Sequence, residues 1–266
     1  MKRLFTSFTF NESTRRIVTY LIYICFTLYT LYQLILEPTI AGKTAYSIIL
    51  IVIVGIAGWA EYLKIQYIHM VKSLAMDCDT SKAKFYYNKL KKRDFLKSYK
   101  YTLIIFDTLY YQDINQPKRC IQVLNENPKL FSSSLDMLLI RNYTYLYSYH
   151  QMQNRSKVNY YYTELCKLKG TKIKGKKVSP LFNWDFIDSI YAYSIKDYKK
   201  SKNLLLEMYK ENLNNRELSQ YYIMLGNVYR KLHEKEEAIE TYKMAIKTSN
   251  QLCYAMHAKA CLYEMR

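Results

Sequence analysis

Twenty consecutive residues, Ile17 to Leu36, carry no charge (IVTYLIYICFTLYTLYQLIL). About twenty is what a helix needs to cross a hydrocarbon core of roughly 30 Å, so this stretch reads as a membrane span. A second apolar stretch, Ala45 to Ala60 (AYSIILIVIVGIAGWA), extends to Leu63 if Glu61 sits at the interface. Trp59 and Tyr62 stand where an interfacial aromatic belt belongs. The two stretches are separated by EPTIAGK, residues 37–43, which suits a tight turn. The expectation is a two-helix transmembrane hairpin: a tail at 1–16, a span at 17–36, a short external turn at 37–43 and a second span at 44–63. A cleavable signal peptide fits less well, because the apolar run is long, no A-x-A site follows it and a second span comes at once.

Basic flanks orient the hairpin. Arg15 and Arg16 abut the first span, Lys43 alone marks the turn, and Lys64, Lys72, Lys82 and Lys84 follow the second. The positive-inside rule then places both termini in the cytoplasm of a two-span protein of the cell membrane. Six scattered cysteines with no C-x-x-C agree with a reducing compartment.

From Glu61 onward apolar residues recur at helical spacing, broken by short polar stretches near Asp77–Ser81, Asp113–Pro117, Asn125–Lys129, Gln153–Ser156, Gly170–Pro180, Asn212–Glu217 and Leu232–Lys235. No alternating strand with an N-G or D-G turn occurs, and six glycines and four prolines are too few for a turn-rich β fold. The fold class is all-α, with a basic, degenerate helical-repeat region at 64–180 and a clearer repeat region at 181–266.

Residues 219–252 read SQYYIMLGNVYRKLHEKEEAIETYKMAIKTSNQL. Tyr222, Leu225-Gly226, Tyr229, Ala238, Tyr242 and Ala245 occupy the spacing at which two helices pack, small residues giving close approach and aromatics filling the adjoining holes. This segment resembles a tetratricopeptide repeat (TPR), as found in membrane-anchored proteins of bacterial type, with Asn250 in place of the terminal proline. Residues 182–215, with Ser201 at the small position, fit the same frame, and 99–128 and 135–168 are similar helix–turn–helix units. Residues 253–266 look like a terminal capping helix. The resemblance implies a TPR-like α-solenoid of helix pairs whose concave groove binds a peptide or partner protein. It implies that Gln220, Ile223, Asn227, Arg230 and Lys231 face the groove. Members that clamp a terminal carboxylate carry lysine at the position of Ile223 beside the asparagine matched by Asn227.

The net charge of +18 is unevenly spread. Residues 64–180 hold 22 bases against 8 acids, whereas the segments on either side are each close to neutral. Lys89, Lys91, Lys92 and Arg93 form one cluster, and Lys172, Lys174, Lys176 and Lys177 another. Both are candidates for contact with anionic lipid, where each base contributes roughly 1 kcal/mol. Nucleic acid is not expected as a partner: no recognised binding motif is present, and Lys outnumbers Arg 30 to 10, the reverse of what base reading favours.

Cys253, His257 and Cys261 share a helical face, but a structural zinc would need ligands from a further element, and no metal or other cofactor is expected. No phosphate-binding loop, nucleophile elbow or paired-carboxylate motif is present, so the chain does not read as an enzyme. The function expected is that of a membrane-anchored adaptor or scaffold recruiting a protein or peptide to the inner membrane surface. An accessory subunit of a membrane transport or secretion complex and a peptide-sensing regulator are the alternatives, and homo-oligomers are compatible with each.

Overall fold

The computed structural model describes residues 2–173, 176–177 and 182–265, and the side chains of 17, 18, 20–171 and 182–265. The described chain is all-helical apart from a two-rung antiparallel ladder, β1 (Lys172–Ile173) on β2 (Lys176–Lys177). It divides into two compact units, Lys2–Ile68 and the unit that begins at His69.

The first unit holds α1 (Lys2–Leu36) and most of α2 (Ile40–Ala75). Helix α2 is long and apolar enough to cross a membrane, and no residue of its apolar window is buried. The described apolar part of α1, Tyr20–Leu36, is shorter. Lys64 Nζ lies 5.7 Å from the Tyr20 ring centre, which sets the two helices antiparallel. Their connection is tighter than the 37–43 turn expected from sequence. Thr39 Oγ1 accepts from Gly42 N at 3.1 Å and so caps a helix that already starts at Ile40. At the other end α2 runs through residue 64 to Ala75, because nothing between Leu63 and Ala75 breaks a helix.

The second unit repeats one device. After the end of α2 come α3 (Thr80–Arg93), α4 (Lys100–Asp113), α5 (Pro117–Glu126), a 3-10 turn at Leu130–Ser132, α6 (Leu135–Gln151), α7 (Arg155–Leu168), α8 (Trp184–Ser194), α9 (Tyr198–Glu207), α10 (Asn215–Lys231), α11 (Lys235–Ser249) and α12 (Cys253–Glu264). Each of these α-helices from α3 on packs on the next. Four of them, α4, α6, α8 and α10, end on a residue of positive φ: Asn115 (55°), Gln153 (56°), Lys196 (70°) and His233 (62°). The following amide then bonds back five residues, as in Gln116 N to Tyr111 O at 2.8 Å and Glu234 N to Tyr229 O at 3.0 Å. That is a Schellman-type stop, which satisfies orphan carbonyls and reverses the chain. Five residues past each left-handed position comes a buried side chain: Cys120, Val158, Ser201 and Ala238. Twelve residues before each of these, on the partner helix, lies its buried counterpart: Thr108, Leu146, Ser189 and Gly226. Cys120 Sγ reaches Thr108 O at 3.3 Å and Ser201 Oγ donates to Ser189 O at 3.0 Å, so two of the close approaches are also bonded. Cys78 (φ 52°) and fully buried Ala83 repeat the offset at the α2–α3 corner.

The core follows the same frame. Leu146, Leu165, Ile187, Ile190, Leu205 and Val228 are at most 1% exposed and belong to one apolar cluster running from α6 to α10. Tyrosine fills spaces within and between hairpins: Tyr145 stacks on Tyr161 at 4.5 Å inside the α6–α7 pair, while Tyr162 stacks on Tyr191 at 3.8 Å and Tyr143 on Phe182 at 4.1 Å across to the next. Some of the chain's thirty tyrosines thus find a packing use in which the ring is covered while the hydroxyl keeps a partner, as Tyr162 does with Asp188.

The helices do not continue as a linear array in which each pair touches only its neighbours. Arg216 at the start of α10 bonds Asp113 at the end of α4, 103 residues away, and Tyr254 on α12 bonds the same carboxylate across 141 residues. Near them Gln251 N donates to Cys78 O, Asn250 Nδ2 to Asp77 O and Asn215 Nδ2 to Met76 O. The end of the second unit is therefore fastened to its beginning. This departs from an open solenoid, where α12 would only cap α11.

Candidate functional site

Closure creates a cavity of about 530 Å³, walled by α6, α7, α8, α10 and α12. Its floor is a polar network. The Asp113 carboxylate accepts from Arg216 Nε at 2.6 Å and from Tyr254 OH at 3.2 Å. Tyr254 OH in turn accepts from Gln220 Nε2 at 2.7 Å and from Tyr147 OH at 3.4 Å. Burial pushes the Asp113 carboxyl up from its ordinary value, while the Arg216 guanidinium beside it pulls the other way. Burial also raises Tyr147 and Tyr254, so both hydroxyls remain neutral. A buried ion pair of this kind is costly to desolvate and needs its remaining polar atoms bonded, which Gln112 Oε1 helps to do by accepting from Arg216 Nη2 at 3.3 Å.

The rim has a different character. Arg155, Lys196, Arg230 and Lys231 line it, and among the described residues no Asp or Glu does. Arg230 Nη1 meets Glu264 Oε2 at 2.9 Å outside the cavity, but Glu264 is 65% exposed and such a pair is weak. Ile223 and Met224 give the wall an apolar face. Asn227 Oδ1 accepts from Tyr242 OH at 2.8 Å and lies 3.1 Å from His257 Nε2, while its Nδ2 enters no described hydrogen bond.

Of the five residues expected to face the groove, Ile223, Asn227, Arg230 and Lys231 line the cavity. Gln220 does not: it is 4% exposed and its amide is committed to Tyr254. The physical reason is α12, which crosses this face of α10 and roofs the position that an open array would leave free. Among the residues expected to pack the helix pair, Leu225, Gly226, Ala238, Tyr242 and Ala245 are buried, and Tyr222 and Tyr229 are half-buried. A Cβ on Gly226 would stand 2.7 Å from Tyr242 Cε1, so the ring occupies the space that glycine leaves. Lys89, Lys91, Lys92 and Arg93 are exposed at the end of α3. Lys172, Lys176 and Lys177 lie on the ladder, and Lys174 lies outside the described residues.

Two groupings in the cavity wall could suggest catalysis. His150 Nδ1 lies 3.0 Å from Ser194 Oγ, but the Ser194 hydroxyl already donates to Ile190 O at 2.8 Å. His150 is then the donor, the reverse of what a general base needs. Burial lowers its pKa to about 4, too weak a base for work near neutrality. Cys253 is pushed up to about 12, by burial first and the Asp113 charge second, and so stays a thiol. Among the described residues no group of three His, Cys, Asp or Glu is placed to hold a metal ion. His257 and Cys261 contact each other at 3.5 Å, while Cys253 Sγ reaches toward Gln112 O.

Asp113, Arg216, Tyr254 and His150 were not singled out from sequence. Asp113 and Arg216 each sit in a short polar stretch that reads as a loop, and their opposite charge is the only sequence signal that they meet. No family model, no curated protein and no solved structure matches the chain.

Proposed function

We propose that the chain is a membrane-anchored adaptor. In this reading α1 and α2 form a two-span hairpin with both termini cytoplasmic, and the TPR-like hairpins hold a partner's peptide segment in the cavity. The regular twelve-residue offset between paired buried positions in α4 to α11 supports the repeat reading. The observation that carries the binding reading is the cavity itself: about 530 Å³, lined by tyrosines, Ile223 and Met224 together with amide and imidazole side chains, with four basic side chains and, among the described residues, no acid around it. Its size falls in the range of roughly 300–1,000 Å³ typical of ligand sites. The charge at the rim selects an acidic segment, steered electrostatically before it is gripped. The inverted hydrogen bond of His150 and the protonated Cys253 support a binding role over a catalytic one.

The test is titration of the detergent-solubilised full chain with fluorescent extended peptides, one acidic and one basic but otherwise matched. The acidic peptide should bind with an affinity that falls as salt rises. Arg230→Gln/Lys231→Gln should weaken it by about tenfold, in keeping with one or two lost charge contacts. Equal binding of the two peptides, or indifference to the double substitution, would remove the cavity as the recognition site.

A further inference from the structure

The loop between α3 and α4 departs from ordinary turn chemistry. Asp94 caps α3, its amide donating to Leu90 O, and Lys97 N bonds back to Asp94 O at 3.2 Å. Phe95 and Leu96 are therefore the two central residues of a tight turn, positions normally given to Pro, Gly, Asn or Asp. The turn is built firmly. The Asp94 carboxylate accepts from Ser98 N at 2.9 Å and Tyr99 N at 2.7 Å, and Lys97 takes a left-handed φ of 56° to complete it. The result holds Phe95 75% and Leu96 74% exposed at the tip. Burial of either side chain would be worth about 1.5–3 kcal/mol, which this turn forgoes in water.

The surroundings are basic. Asp94 is the one acid between Thr80 and Phe106, and it is buried with its carboxylate turned to the loop amides. Lys89, Lys91, Lys92, Lys97 and Lys100 are exposed around the tip, and none of the five enters a described ion pair. Phe85 on α3 and Tyr101 on α4 are also exposed, Lys89 Nζ lying 4.3 Å from the Phe85 ring centre. Single exposed hydrophobic residues are commonplace. A hydrogen-bonded turn presenting two of them beside five lysines outside any described ion pair is not.

We infer that this tip is a lipid-docking surface: Phe95 and Leu96 enter the headgroup–acyl boundary of a bilayer while the lysines engage anionic headgroups. Charge complementarity selects the occupant, because the lysines require an anionic partner and the apolar tip requires one with an accessible apolar layer. A nucleic acid offers the first without the second along its phosphate backbone. The inference uses residues apart from the cavity, so it does not depend on what the cavity binds.

The experiment is hydrogen exchange on the full chain in nanodiscs of pure phosphatidylcholine and of phosphatidylcholine with about one-third phosphatidylserine. Exchange across Asp94–Tyr101 should slow by about tenfold in the anionic discs only. Phe95→Ser/Leu96→Ser, which spares the Asp94 cap, and Lys91→Gln/Lys92→Gln should each abolish that slowing. Identical exchange in both discs would overturn the inference. So would slowing that survives loss of Phe95 and Leu96, or equal slowing on adding single-stranded RNA to neutral discs. A chain that does not remain with the discs would count against the two-span anchor. The same exchange measured with vesicles of the two compositions would still decide the tip.

Discussion

His150 shows how burial at one residue sets a pH limit for the unit that holds it. Its pKa is lowered to about 4 by burial, from an ordinary value of 6.5. On acidification the unfolded chain binds the proton first, because its histidine titrates at the ordinary value. Stability from this residue is therefore complete above pH 6.5, declines as pH falls toward 4, and changes no further below that. A shift of this size corresponds to at most about 3–4 kcal/mol. Urea unfolding in detergent at pH 7 and pH 4.5 should show wild type losing up to that much more stability than His150→Gln. Equal losses in the two proteins would show that His150 is not the group responsible. Nothing in the sequence around His150 signals this, since its burial comes from α6 and α8 meeting through Ser194.

At the scale of elements, the helices themselves were legible. The polar breaks near Asp77, Asp113, Gln153 and Leu232 fall on real corners, because apolar periodicity stops wherever a helix loses its packed face. The common geometry of those corners was not legible. Glycine usually signals a left-handed stop, yet here the positions hold Asn115, Gln153, Lys196 and His233. The 219–252 segment showed its frame most clearly, because Gly226 and Ala238 are small enough to stand out, and 182–215 followed it through Ser201. Two substitutions of opposite sign test this account. His233→Gly should raise stability by about 0.5–1 kcal/mol by relieving the left-handed backbone. Gly226→Val should lower it by about 1–3 kcal/mol, because Tyr242 has to leave its place against α10. Thermal unfolding of both variants beside wild type would measure this, and a shift of the wrong sign in either would reject it. The α3–α4 turn escaped sequence reading for a related reason: its centre is Phe95 and Leu96 in place of the usual turn residues, so no polar break marks it.

For the second unit as a whole, the long-range ties matter more than any single hairpin. Asp113 is fully buried and Arg216 nearly so. Arg216→Met strands a carboxylate beneath the cavity and should cost about 3–5 kcal/mol, whereas Arg216→Met/Asp113→Leu should recover most of that loss. Hydrogen exchange of the single variant should quicken at the end of α4 and in α12 together, although the two are far apart in sequence. Quickening confined to the start of α10 would indicate a linear array with no closure. A closed helical unit was not foreseeable from repeat likeness, which describes how neighbours pack and is silent on whether the ends meet. One consequence concerns synthesis. Asp113 waits through 141 further residues for the Tyr254 hydroxyl, so during translation the early hairpins can form on leaving the ribosome but the cavity cannot. The cavity then arrives late, as a property of a chain made through α12, and a nascent fragment stalled before that point has folded hairpins but no enclosed cavity.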